Sequence, residues 1–261
     1  MKDAATLMHI AGLGLAACAA IALLVWAMSV PLSDVSIVDS AWSLLVLSPA
    51  LVAAALAPQA GPRAPWVLGL AGAWAVRLAL YITWRHWGHP EDHRYRAIRA
   101  RNGPRFACKS LYLVFGLQAL LAWLVALPLV AAVTSSVAWN LFDGLGAALC
   151  LVGLVIEALA DAQLARFKAD PGNRGRVMAT GLWRYSRHPN YFGEFCVWWG
   201  LGLVALAAGA WWAVVSPLLM SLLLLKVSGV TLLEKDIGAR RPAYRAYIAR
   251  TNAFFPWRPR V

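Results

Sequence analysis

Six ionisable side chains stand inside stretches that are otherwise apolar: Asp39, Arg77, Glu157, Asp161, Glu194 and Lys226. An ionisable group in hydrocarbon costs about 2.5–3.5 kcal/mol on insertion scales, so such residues are functional candidates by default. Their spacing sharpens this. Glu157, Asp161 and Lys168 recur at intervals of four and seven, and Asn190 precedes Glu194 by four; each set shares one helix face. Arg77, Tyr81 and Arg85 form a stripe at i, i+4 and i+8. Nearby polar segments are rich in arginine: Arg85, Arg94, Arg96, Arg99, Arg101 and Arg105 in one, Arg174, Arg176, Arg184 and Arg187 in another. Guanidinium forks suit phosphates. The carboxylates of Glu157, Asp161 and Glu194 suit ribose hydroxyls or amide N–H groups. Together they point to a nucleotide cofactor. The plain alternative is a set of buried ion pairs that fix helix register, for example Asp39 with Arg77. That explains any one pair well, but it does not require the adjoining loops to be so rich in Arg, Asn and His.

These residues need membrane helices to position them. Of 261 residues 61% are hydrophobic and 14% charged, against about 25% charged in a soluble domain. Apolar runs of about 20 residues recur, the length that spans a bilayer as a helix. Seven are expected, near 7–30, 34–57, 66–86, 109–133, 143–167, 190–208 and 211–233. The first is too long for a signal-peptide core, has only Lys2 as basic flank and lacks a convincing cleavage site, so it reads as a retained helix. The fold class is all-α and polytopic, a single membrane-embedded domain over 1–261.

The 24 Lys and Arg residues are unevenly placed: seven between Arg85 and Lys109, six between Arg166 and Arg187, seven from Lys235 onward. The positive-inside rule puts those segments in the cytoplasm, with the N-terminus outside and the C-terminus inside. Most of the buried charges then fall in the inner half of the bundle, around a cavity open to the cytosol. The tail, with Tyr244, Tyr247 and Ile248 at helical spacing among arginines, reads as an amphipathic helix lying on the inner interface.

Several classes drop out. No G-x-G-x-x-G follows a strand and no Walker lysine loop is present, so neither a Rossmann nor a P-loop site is expected. Nothing resembles a module that reads nucleic acid. The four cysteines are scattered without a CxxC pair, which argues against a disulfide framework or thiolate metal site. His86, His89 and His93 lie among basic residues that repel a cation, so no metal is expected. No obligate protein partner is evident; the partners expected are the bilayer and a lipophilic small molecule.

The stretch GLWRYSRHPNYFGE (Gly181–Glu194), followed by WWG, resembles the C-terminal signature of the steroid 5-alpha-reductase family and its bacterial relatives. EALADAQLARFK (Glu157–Lys168), RLALYITWRHWGHPEDHRYR (Arg77–Arg96), VDSAW (Val38–Trp42) and the tail from Glu234 to Trp257 extend the resemblance. It implies a seven-helix fold in a bacterial inner membrane, with the active site facing the cytoplasm. It implies NADPH as cofactor and reduction of a carbon–carbon double bond conjugated to a ketone in a steroid-like or isoprenoid substrate. Substrate-side helices and the first basic loop would occupy 34–105, and the cofactor-binding helices, loop and tail 143–261. Carried over residue by residue, the cofactor contacts are Arg85, Arg94, Arg96, Glu157, Asp161, Lys168, Arg176, Arg187, His188, Asn190, Tyr191, Glu194 and Glu234. Glu157 stands where the steroid enzymes have Asn. Asp39 stands where the family's substrate-polarising acid is usually Glu, and Tyr81 would be the catalytic tyrosine. In that reading Asp39, neutral or hydrogen-bonded, and Tyr81 stabilise the negative charge that develops on the substrate's carbonyl oxygen. The same RHPNY-containing block also resembles that of isoprenylcysteine carboxyl methyltransferases, so an S-adenosylmethionine-dependent membrane methyltransferase is the alternative.

Overall fold

The structure is a computed structural model that describes residues 4–57, 60–227, 229–234, 237 and 242–260. The described residues are helical, with connecting turns and no strand. In chain order the helices are α1 (Ala4–Leu32), α2 (Ile37–Leu56), α3 (Ala64–His86), α4 (His93–Asn102), α5 (Phe106–Thr134), α6 (Leu141–Ala169), α7 (Pro189–Ala207), α8 (Val215–Leu222), α9 (Val230–Glu234) and α10 (Ala243–Arg250). Among the described residues six helices are long and apolar enough to cross a bilayer: α1, α2, α3, α5, α6 and the span Trp211–Glu234 that contains α8 and α9. This marks the chain as an integral membrane protein. The remaining expected span, α7, has 19 residues, about 28 Å of helix, but its first turns carry Asn190 and Glu194.

The chain forms two compact units, one of Met1–Trp139 with Ala207–Ala213, the other of Asn140–Leu206 with Val214–Val261. In the first, α2 packs against α1, α3 and α5. Small and hydroxylic residues bring the helices close, as expected where lipid offers no hydrophobic contrast. A Cβ on Gly14 of α1 would lie 2.9 Å from the Pro49 side chain of α2. The Ser43 hydroxyl of α2 donates to the Ala75 carbonyl of α3 at 2.7 Å, and Trp123 Nε1 of α5 to the Ala11 carbonyl of α1 at 2.8 Å. Near its start α5 contains a π-helical stretch, Leu111–Gly116.

Arg63 is the residue of this unit whose role the sequence hides. It reads as a lone charge on an outer loop, yet it is fully buried. Its guanidinium donates to the carbonyls of Val137 (2.5 Å), Ala138 (3.0 Å) and Ala207 (3.3 Å). It thus satisfies the irregular segments that follow α5 and α7, where no helical ladder supplies donors. Arg63→Leu removes those donors but keeps an apolar stem. The expected result is a loss of about 2–3 kcal/mol, since hydrogen bonds to a charged group contribute roughly 1.5–3 kcal/mol each and relaxation recovers part. Thermal unfolding followed by tryptophan fluorescence measures it, and an unchanged midpoint would show the clip to be idle.

In the second unit α6 begins with a capping box: the Asn140 side chain accepts from Phe142 N at 3.0 Å while Asp143 accepts from Asn140 N at 2.9 Å. Helices α6 and α7 cross backbone to backbone. A Cβ on Gly193 would fall 2.6 Å from Glu157 N, one on Gly153 2.5 Å from the Gly193 carbonyl, and one on Gly200 2.5 Å from the Gly146 carbonyl. Only hydrogen fits at these positions, which is how α7 can bring Asn190 and Glu194 beside the polar face of α6.

Candidate functional site

In the first unit the chemistry-bearing residues gather where α1 ends, α2 begins and α3 gives way to α4. Asp39 accepts from Arg94 Nη2 and from the Tyr95 hydroxyl, each at 2.6 Å. Tyr95 in turn accepts from Gln118 Nε2 of α5 at 3.2 Å. Arg94 also donates from Nε to Asp92 at 3.0 Å, and Asp92 caps α4 by accepting from Arg94 N at 2.9 Å. The rest of the α3–α4 turn is tied in the same manner. Asp34 pairs with His86 at 2.8 Å, Asp92 N donates to Ser36 at 2.7 Å, and Glu91 accepts from Val35 N at 2.9 Å and from both arms of the Arg99 fork at 2.9 and 2.7 Å.

The electrostatics follow. Burial, with the charge of Asp39 and the hydrogen bond to it, holds the Tyr95 phenol above its ordinary range. Burial works against the charge of Arg94, but Asp39 and Asp92 outweigh it and push its pKa up. Burial likewise opposes ionisation of Asp92 and of Asp34, yet hydrogen bonds from Arg94 in the first case, and from Ser36 and His86 in the second, keep both carboxyls below the usual range.

This arrangement differs from the expectation in two respects. Asp39 is a hydrogen-bond acceptor at both oxygens, anchoring α4, where the sequence cast it as a donor to a substrate oxygen. Arg94 has its fork on Asp39 and Asp92, where the sequence cast it as a cofactor ligand. The arginines of this segment that face outward are Arg85, Arg96, Arg101 and Arg105. Tyr81 is half-buried one turn before Arg85, whose guanidinium lies over its ring at 5.6 Å, and its ring is tilted against that of Trp84 at 6.0 Å. A cavity of about 470 Å³ lies at the far end of α5, lined by apolar residues such as Met8, Leu127, Val130 and Trp212 with Ser135 and Ser136 among them. It carries none of the charged residues considered above.

In the second unit Glu157 and Asp161 are both buried on α6, and Glu194 is buried on α7. Asn190 Nδ2 donates to Asp161 Oδ1 at 3.2 Å. The start of the signature folds over α6: Trp183 Nε1 donates to the Ala160 carbonyl at 3.0 Å, and Leu182 N to Gln163 Oε1 at 2.9 Å. Gly181 has φ +59° and lies against Gln163, whose Oε1 would be 2.5 Å from any Cβ there. Between them the loop carries Lys168, Arg174 and Arg176, all exposed; Arg174 and Arg176 form no ion pair among the described residues.

Arg187, His188 and Glu234 form a separate cluster. Arg187 grips Glu234 through Nε and Nη2, both at 2.7 Å, and donates through Nη1 to the carbonyls of Ile248 (3.2 Å) and Thr251. His188 Nε2 lies 2.9 Å from Glu234 and its ring stacks on Tyr191 at 5.6 Å. These three, expected as cofactor contacts, hydrogen-bond to one another and to the backbone, and so bind the end of the chain to the signature. The α10 helix takes part as well: the Tyr247 hydroxyl donates to the Trp183 carbonyl. Tyr247 is therefore packed on protein, while Tyr244 is half-buried and Ile248 exposed.

What the residues bring together is thus buried carboxylates with an amide (Glu157, Asp161, Glu194 and Asn190) on α6 and α7, joined by a segment that carries exposed basic side chains, and, in the other unit, an anchored acid (Asp39) with Tyr95. Residues missed from the sequence are Asp34, Glu91, Asp92 and Gln118. Asp92 alone had a local signal, an acidic residue directly before a helical run.

An uncharacterized protein of the fission yeast Schizosaccharomyces pombe is 27% identical over 266 residues, covering 88% of this chain and 75% of its own length. No solved structure matches. The family described as protein of unknown function DUF1295 matches over residues 25–251. The chain belongs to the DUF1295 family.

Proposed function

We propose that the protein is an NADPH-dependent membrane reductase, related to the steroid 5-alpha-reductases, that reduces a carbon–carbon double bond conjugated to a ketone in a lipophilic steroid-like or isoprenoid substrate. In this reading α7 is a seventh span, the N-terminus is outside and the basic loops face the cytoplasm.

The observation that carries it is the polar face of the second unit. Three carboxylates buried on α6 and α7, with an asparagine hydrogen-bonded to one of them, are costly groups to hold on membrane helices, and hydrocarbon offers them nothing. Their chemistry fits the cofactor. Carboxylates accept from ribose hydroxyls and from a carboxamide N–H₂, Asn190 can donate or accept, and Arg174 and Arg176 can meet phosphates. Glu157, Asp161, Asn190 and Glu194 would hold the nucleoside part, and Lys168, Arg174 and Arg176 the anionic part. When bound, NADPH supplies the hydride. The chain's own contribution is to orient the polar groups, exclude water among apolar helices and present a proton-bearing group to the substrate's carbonyl oxygen, where negative charge develops. Tyr81 is assigned that role. Asp39 acts through α4, by holding Arg94 and Tyr95 in place.

Purified protein in detergent is expected to gain thermal stability with micromolar NADPH, less with NADH and none with S-adenosylmethionine. Ligand binding to the native state raises stability as RT ln(1 + [L]/Kd), about 2.7 kcal/mol at a hundredfold excess over Kd. Stabilisation by S-adenosylmethionine alone would replace this reading with that of a methyltransferase.

A further inference from the structure

The second unit carries a charged and aromatic surface that the proposed reaction does not use. Trp257 N donates to the Tyr185 carbonyl at 3.0 Å and Arg260 N to the Arg250 carbonyl at 2.8 Å. Thr251 Oγ1 reaches the Arg184 carbonyl at 3.4 Å. These ties fold the end of the chain back along the signature turn and the end of α10. They gather four exposed arginines, Arg184, Arg250, Arg258 and Arg260. Among them stand Tyr185 and Trp257, exposed by 43% and 71%. Residues 182–190 and 242–260 contain no Asp or Glu, and none of the four arginines forms an ion pair among the described residues.

Like charges concentrated in this way repel one another, and large aromatic rings left in water are unfavourable. A negatively charged bilayer surface resolves both. Basic side chains gain about 1 kcal/mol each near anionic headgroups, and amphipathic rings settle at headgroup level. A soluble inorganic phosphate would use the arginines but has no use for an exposed indole; a nucleotide could stack its base there, and the NADPH readout below separates that case. We propose that this surface docks the phosphodiester headgroups of anionic lipids in the protein's own membrane. The inference stands apart from the reductase reading.

Native mass spectrometry of the full-length protein in detergent, titrated with dioleoylphosphatidylglycerol and with dioleoylphosphatidylcholine, tests it. The wild type is expected to bind the anionic lipid more tightly. The variant R184Q/R258Q/R260Q, whose side chains make no hydrogen bond within the described protein, should bind it at least about tenfold more weakly with phosphatidylcholine unchanged. The R184K/R258K/R260K variant should keep the preference. Trp257→Ala, with every charge in place, should weaken it by a smaller factor, and it serves as the readout if the triple Gln variant fails to fold. Undiminished phosphatidylglycerol binding by the Gln variant, or by Trp257→Ala in its place, overturns the proposal. So does equal binding of the two lipids by the wild type. Loss of NADPH stabilisation with lipid binding intact would instead assign the arginines to the nucleotide.

Discussion

Arg187→Ala is expected to destabilise the protein by about 3–5 kcal/mol, the cost of removing one partner of a buried pair. The side chains of Arg187 and Glu234 are only 8% and 16% exposed, so water cannot take over the hydrogen bonds. The substitution leaves Glu234 with the His188 ring beside it, and it strips a donor from the carbonyls of Ile248 and Thr251. The residues that tie the chain's end to the signature should loosen together, because Arg187 N itself donates to the Asn252 carbonyl at 2.9 Å and Ser186 Oγ to the Phe254 carbonyl at 2.7 Å. Arg187→Lys should recover little, since an ammonium cannot reproduce the two-pronged grip. Thermal unfolding in detergent, with size-exclusion chromatography of the heated sample, should show a midpoint lower by on the order of 10 °C. A variant that keeps the wild-type midpoint but no longer responds to NADPH would return Arg187 to the cofactor.

That cluster also shows what a sequence can and cannot convey. The apolar runs and the 3.6-residue period are legible, because a span's length and a helix face are local properties. They place α1 to α3, α5, α6 and the last span within a few residues, and they put Glu157 and Asp161 on one face, where both are buried. The glycine signal is ambiguous. Gly14 packs on Pro49, while a Cβ added at Gly12 would meet nothing within 4 Å, and the two are alike in the sequence. Pairings across long separations are not legible. Asp39 finds Arg94 rather than Arg77, and Arg187 finds Glu234, because partner choice depends on how connecting turns return the chain. An arginine tied to a carboxylate looks the same in a sequence as one waiting for a phosphate. The π-helical stretches Leu111–Gly116 and Leu223–Val227 leave no trace either, since a change in hydrogen-bond register alters no residue type.

Tyr81→Phe is expected to lower turnover by about 10²–10³ while leaving cofactor binding and stability close to wild type. Removing one hydrogen-bond donor from a developing oxyanion has an effect of that size, and the ring that packs against Trp84 and under Arg85 is retained. The placement supports the separation of effects. Tyr81 lies half-buried within α3 one turn before the exposed Arg85, and phenylalanine keeps its ring, so the hydroxyl is the only group lost. Tyr95→Phe makes the informative contrast. Tyr95 is nearly fully buried, donates to Asp39 and accepts from Gln118. Losing that hydroxyl should weaken the anchoring of α4 and so lower stability by about 1–3 kcal/mol, with turnover falling only in proportion to the folded fraction. The assay is NADPH oxidation with a panel of lipophilic enones, run beside thermal unfolding of each variant. Should Tyr81→Phe reduce an enone at the parent's rate while Tyr95→Phe is folded and inactive, the proton-bearing group belongs to the Asp39 cluster, and α4 rather than α3 carries the chemistry.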